Sequence, residues 1–106
     1  MENQHRKIKG YRDLSQVEID LMNKIKEQGL VLQALVCEVQ AHHRAQRAAC
    51  AVTTDRFPAP PVPPDKQDEQ NRLNAAEPER WASIGRTHFQ EGLMALTRSV
   101  AQPGFF

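Results

Sequence analysis

The sequence predicts an all-α protein: a long antiparallel helical hairpin behind a short basic segment, assembling through helix–helix packing into a homo-oligomer. Three observations lead there. Residues 15–50 join a helix-start motif to an apolar seam of coiled-coil spacing. Residues 78–101 open on a proline-led helix start and carry a second apolar face. The two helices also differ in length, so one cannot cover the other.

Residues 1–14 are basic, with Arg6, Lys7, Lys9 and Arg12 against Glu2 and Asp13. The first helix, residues 15–50, starts at Ser15-Gln16-Val17-Glu18. This is a capping box, in which the serine hydroxyl accepts from an otherwise orphaned N–H while the glutamate reaches back to the serine N–H. Met22, Ile25, Gly29, Leu32, Val36 and Val39 then recur at alternating spacings of three and four, with Leu21 and Leu35 widening the stripe. Ala41, Ala45, Ala48 and Ala49 favour the helix further on, whereas Gly29 costs about 1 kcal/mol relative to alanine and marks a kink or a close helix crossing.

Residues 51–77 form a proline-rich flexible connection. Pro58, Pro60, Pro61, Pro63 and Pro64 cannot continue a helix and favour polyproline II, and the acidic stretch behind them completes an extended tip between the helices. A tolerated surface insertion accounts for it better than an SH3-type ligand does. The closing segment, residues 78–106, holds the second helix and a tail. Glu77-Pro78-Glu79 starts the helix, Trp81, Gly85, Phe89, Leu93, Leu96 and Val100 share a face, and Pro103-Gly104 stops it.

Helix length turns this pattern into a statement about assembly. A helix of about 35 residues runs roughly 50 Å, whereas a compact chain of about 100 residues has a radius of gyration near 13 Å. A shorter partner helix leaves apolar seam uncovered, and other copies of the chain are the natural cover.

Composition excludes several classes. Leu, Val, Ile and Phe make up 23 of 106 residues, close to the lower limit for a self-sufficient core. A formal charge of +1 argues against a protein that coats DNA or RNA. No apolar run is long enough to span a membrane, and the opening MENQHRKIKGYRDL lacks a signal-peptide stretch. Cys37 and Cys50 lie thirteen apart with no Cys-x-x-Cys pattern, which reads as reduced, packed thiols.

Catalytic and metal signatures are missing. His5, His42, His43 and His88 have no ligand spacing; His42 and His43 are adjacent, about 100° apart around a helix, and read as solvated. No nucleophile elbow, phosphate-binding glycine loop or paired carboxylates are visible, and Glu18 and Glu79 serve as helix-start residues. The expectation is therefore no enzyme, no cofactor and no metal. Binding chemistry remains. HRKIKGYR interleaves His5, Arg6, Lys7, Lys9 and Arg12 with Tyr11: cations suit phosphate oxygens, and a ring offers a stacking face. Lys26 adds a cation on the first helix. In RWASIGRTH, Arg80, Ser83 and Thr87 share one helix face by spacing, with Arg86 beside them. The plainer readings are a solvated basic arm, and a surface arginine face beside a core Trp81.

Specific strings carry a resemblance. ENQHRKIKGYRDLSQVEIDLMNKIKEQG and RWASIGRTHFQEGLMALTRSVAQP resemble the second type of phage anti-CBASS protein, a cyclic-oligonucleotide sponge family sharing its helical hairpin with an anti-Thoeris sponge. The resemblance spans residues 2–40 and 78–103 and leaves the proline-rich segment outside. It implies a homohexamer in the cytoplasm of the infected bacterial host. Such an assembly binds cyclic dinucleotides such as cyclic GMP–AMP, and separately cyclic trinucleotides, without cleaving them. The host CBASS effector then stays inactive. The resemblance matches Tyr11 and Lys26 to the dinucleotide pocket, with Lys7 and His5 of the basic arm beside them; it points to Arg80, then Arg86, with Thr87 and Ser83 in support, for the trinucleotide. The rival class is a structural helical oligomer, an accessory assembly protein with no nucleotide ligand.

Overall fold

The computed structural model describes residues 12–51 and 61–105. These form three helices and no strand: α1 Gln16–Cys50, α2 Pro64–Ala76 and α3 Pro78–Ala101. The chain divides into two compact units, one built from residues 1–33 and 86–106, the other from residues 34–85.

In the first unit α1 opens on the capping box. The Glu18 N–H donates to Ser15 Oγ at 3.2 Å, and the Ser15 N–H donates to Glu18 Oε1 at 2.8 Å. Leu14, just before α1, and Met22, Ile25, Gly29 and Leu32 on it are half-buried, as are Leu93, Thr97, Val100 and Ala101 on α3. The two segments run antiparallel: Arg12 reaches the Val100 and Ala101 carbonyls, while Gly29 lies beside Leu93. A Cβ at Gly29 would come within 3.3 Å of Leu93 Cδ1, so the missing side chain serves a close helix crossing. Leu21, next to the seam, is exposed.

The second unit contains the only buried apolar side chains among the described residues, Cys50 at 3% exposure and Leu73 at 1%. It also corrects the extended reading of residues 51–77: residues 64–76 are helical, and residues 52–60 lie outside the described set. The physical reason is proline position. Pro63 has polyproline-like angles (φ −58°, ψ 145°), but Pro64 is the first helical residue, where its missing N–H costs nothing. Asp65 in the first turn and the helix formers behind it continue the helix, and Leu73 anchors it. Gln70 Nε2 donates to the Cys50 carbonyl at 2.9 Å, tying α2 to the end of α1.

Glu77 ends α2 in the left-handed region (φ 52°), its N–H donating to the Leu73 carbonyl at 2.9 Å. Gln102 repeats the arrangement after α3 (φ 50°), donating to the Arg98 carbonyl at 2.8 Å. Both precede a proline, which disfavours a helical residue before it.

Several packing expectations fail. Val39 is 39% exposed, and the half-buried stripe of α1 in this unit passes through Gln40, His43 and Gln46. A spacing of four from Val36 keeps the stripe facing inward, where a spacing of three turns outward. His43 is accordingly half-buried and bonded to Gln46 at 3.1 Å through Nδ1, not solvated; His42 is exposed. Cys37 is exposed, one 100° step beyond Val36; Leu35 is exposed as well. Trp81 is 58% exposed and Leu96 is exposed, so neither lies in a core of this chain.

Candidate functional site

In the first unit Arg12 holds two elements at once. Its Nε donates to the Ala101 carbonyl at 3.2 Å and its Nη2 to the Val100 carbonyl at 2.8 Å. These are terminal carbonyls of α3, at the negative end of the helix dipole, where a cation is favoured. The same guanidinium grips Glu18 with both nitrogens: Nη1 to Oε1 at 3.2 Å, and Nη2 to Oε2. The Glu18 carboxylate raises the pKa of Arg12, and Glu18 is held down to about 2, first by Arg12 and then by the Ser15 N–H. A residue counted among the free cations of the basic arm is therefore committed to the fold. Lys26, in the third turn of α1, is exposed and takes part in no ion pair with another described residue. His5, Lys7 and Tyr11 lie outside the described residues.

An open groove of about 420 Å³ lies between α3 and the tail, lined by Leu93, Met94, Thr97, Ala101, Pro103 and Phe105. Thr97 turns its hydroxyl onto the Leu93 carbonyl at 2.9 Å, and Arg98 ties the tail down by donating to the Phe105 carbonyl.

The candidate trinucleotide residues are all on α3 and all exposed. Arg80 and Ser83 belong to the second unit, Arg86 and Thr87 to the first. The Arg80 guanidinium carbon lies 5.1 Å from the centroid of the Trp81 ring, and its Nη1 is 3.7 Å from Glu77 Oε2. A cation paired with an open indole is a combination that meets phosphate and base together. Ser83 and Thr87 are already engaged in interactions within the chain.

Behind Arg80 the second unit is braced by Arg47. It makes a two-pronged pair with Glu79, Nε to Oε2 at 2.7 Å and Nη2 to Oε1 at 2.9 Å, and donates to Asn74 Oδ1 at 2.8 Å. One side chain of α1 thereby joins α2 and α3. Glu79 is held down to about 2, first by Arg47 and then by its own N–H at the start of α3. The sequence reading gave Glu79 only a helix-start role and missed Arg47 and Asn74. Partners 27 and 32 residues apart leave no local pattern to read.

Among the described residues no three His, Cys, Asp or Glu side chains are grouped to hold a metal, and no helix is long and apolar enough to cross a membrane.

Comparison with known proteins extends the resemblance. The family model described as "Acb2/Tad1, hairpin domain" matches residues 3–101, running through the proline-rich segment that the diagnostic strings leave outside. Anti-CBASS protein 2 of Pseudomonas phage JBD67 is 44% identical over 106 residues, an alignment that covers 97% of each chain. With a family-model match that spans the entire helical region and a relative 44% identical over nearly the full length of both chains, this chain belongs to the Acb2/Tad1 hairpin-domain family.

Proposed function

We propose that this protein is an anti-CBASS protein of phage origin that binds cyclic dinucleotide and cyclic trinucleotide messengers in the infected cell and keeps them intact. The full-length likeness to an anti-CBASS protein carries this reading. Sequestration follows from mass action: protein in excess of messenger, at concentrations above Kd, leaves too little free ligand to activate the host effector. That task requires cations and stacking faces, not an acid–base pair or a nucleophile. For the dinucleotide the contacts are Tyr11 and Lys26, with Lys7 and His5 beside them: a ring against a base and cations against two phosphates. For the trinucleotide they are Arg80 first and Arg86 second, with Thr87 and Ser83 in support. The working form is a homohexamer, in which exposed apolar residues such as Val17, Leu30, Val31 and Met94 find cover.

Calorimetric titration tests the reading. Cyclic GMP–AMP and a cyclic trinucleotide are each expected to bind saturably, and each to bind protein already saturated with the other, as two separate pockets require. Absence of heat and of any melting shift with either ligand would favour the structural-oligomer alternative, which the same exposed apolar residues support. Mutual exclusion would overturn the assignment of two pockets.

A further inference from the structure

We propose that Arg47 is a positioning residue of the trinucleotide site: by bridging Asn74 at the end of α2 and Glu79 at the start of α3, it fixes the turn that presents Arg80. The inference rests on the functional reading above, which makes Arg80 the first contact for that ligand.

α2 and α3 are separated by one residue, Glu77, which lies in the left-handed region (φ 52°, ψ 53°). That conformation is disfavoured for a residue with a side chain, and Pro78 behind it has no N–H with which to add a bond. The first turn of α3 closes when the Trp81 N–H donates to the Glu77 carbonyl at 3.1 Å. Arg47 secures this elbow on both sides. Its Nη1 donates to Asn74 Oδ1 at 2.8 Å, while Nε and Nη2 take the two oxygens of Glu79 at 2.7 and 2.9 Å. All of these residues belong to the second unit. Glu79 and Arg80 are neighbours in the closed turn, so a hold on Glu79 is a hold on the Arg80 backbone.

The Arg80 guanidinium itself makes only loose contacts among the described residues, 3.7 Å to Glu77 Oε2 and 5.1 Å to the centroid of the Trp81 ring. Its place is set by the turn that carries it. A guanidinium that must meet a phosphate gains affinity when its backbone is ordered before the ligand arrives. Three features separate this role from a phosphate contact or a plain structural pair. The charge of Arg47 is matched by Glu79, and a further donor is spent on Asn74. The pair is partly exposed, at 35% and 50% for the two side chains, and such pairs add little to global stability. A planar fork is also required, because an ammonium is a point charge that cannot engage both carboxylate oxygens and Asn74 in one fixed geometry.

The test compares Arg47→Ala, Arg47→Lys, Glu79→Gln, Arg80→Ala and the double variant Arg47→Ala/Arg80→Ala with the wild type. Kd is measured for cyclic triadenylate and for cyclic GMP–AMP, alongside melting temperature and oligomeric state. Arg47→Ala and Arg47→Lys are both expected to weaken triadenylate binding about fivefold and Glu79→Gln about threefold, with dinucleotide affinity changed less than about twofold and the oligomer intact. The double variant is expected to bind triadenylate no worse than Arg80→Ala alone, because a residue that acts through Arg80 has nothing left to act on. Losses that multiply in the double variant would make Arg47 an independent contact and overturn the proposal. Unchanged triadenylate affinity in Arg47→Ala would overturn it too, as would full rescue by lysine, or equal loss for both ligands together with loss of the oligomer. A wild-type protein that binds no cyclic trinucleotide would instead overturn the functional reading, and the role of Arg47 with it.

Discussion

Tyr11 and Arg80 carry separable roles in the proposed function, and truncating each tests the separation. Tyr11→Ala is expected to weaken cyclic dinucleotide binding by about tenfold or more, the range of a lost stacking face, with the trinucleotide unaffected; Arg80→Ala is expected to do the reverse. Isothermal calorimetry on the two variants reads both, and equal losses for both ligands would contradict separate pockets. The carboxylates give a prediction in pH. Glu18 and Glu79 sit near 2 in the folded chain, against an ordinary value of 4.5. Below 4.5 the unfolded chain takes up protons that the folded chain refuses, so the stability these pairs contribute is present above 4.5 and lost as pH falls toward 2. Because both pairs are partly exposed and screened by water, only a small drop in melting temperature is expected across that window, and Glu79→Gln is expected to flatten part of it; an unchanged slope in that variant would contradict the Arg47 pairing. At this scale the sequence was legible only where partners are neighbours. Ser15 and Glu18 are three apart and announce their bond, whereas Arg12 and Val100 meet through the fold alone.

Element by element, α1 and α3 were readable because their start signals and apolar spacing lie within each helix. The second half of α1 was less so: its inward stripe turns polar at Gln40, His43 and Gln46, and apolar spacing cannot follow a polar stripe. Likewise α2 was hidden by prolines whose helix-breaking effect ends at Pro64, its first residue. Because Leu73 is the anchor of α2, Leu73→Ala is expected to cost about 2–4 kcal/mol and to increase amide exchange over 64–76 selectively, as followed by mass spectrometry. Uniform exchange across the chain would deny α2 its separate anchor. At Gly29, a large side chain must push Leu93 aside, so Gly29→Leu is expected to lower the melting temperature; an unchanged melting temperature would mean that the crossing tolerates bulk.

For the molecule as a whole, two buried apolar side chains are a small core for the described residues, and many large apolar residues remain exposed, among them Val17, Leu30, Val31, Trp81, Met94 and Leu96. The proposed self-association would account for both facts, because contact between copies would supply the burial that one copy lacks. Sedimentation of the purified protein is expected to show a single species of six copies, and a monodisperse monomer at working concentration would contradict the assembly. The proposed pockets were the least legible feature: exposed cations such as Lys26 and Arg86 look like any solvated surface until a family resemblance gives them a ligand. The central claim is that the messenger is held and not altered. The most direct measurement mixes excess protein with cyclic GMP–AMP, removes everything above a small-molecule cutoff, then heats the retained fraction and identifies the nucleotide released. A depleted filtrate and full recovery of the intact cyclic form on heating are expected. A filtrate that still holds all the messenger, or recovery of a linear product, would contradict it.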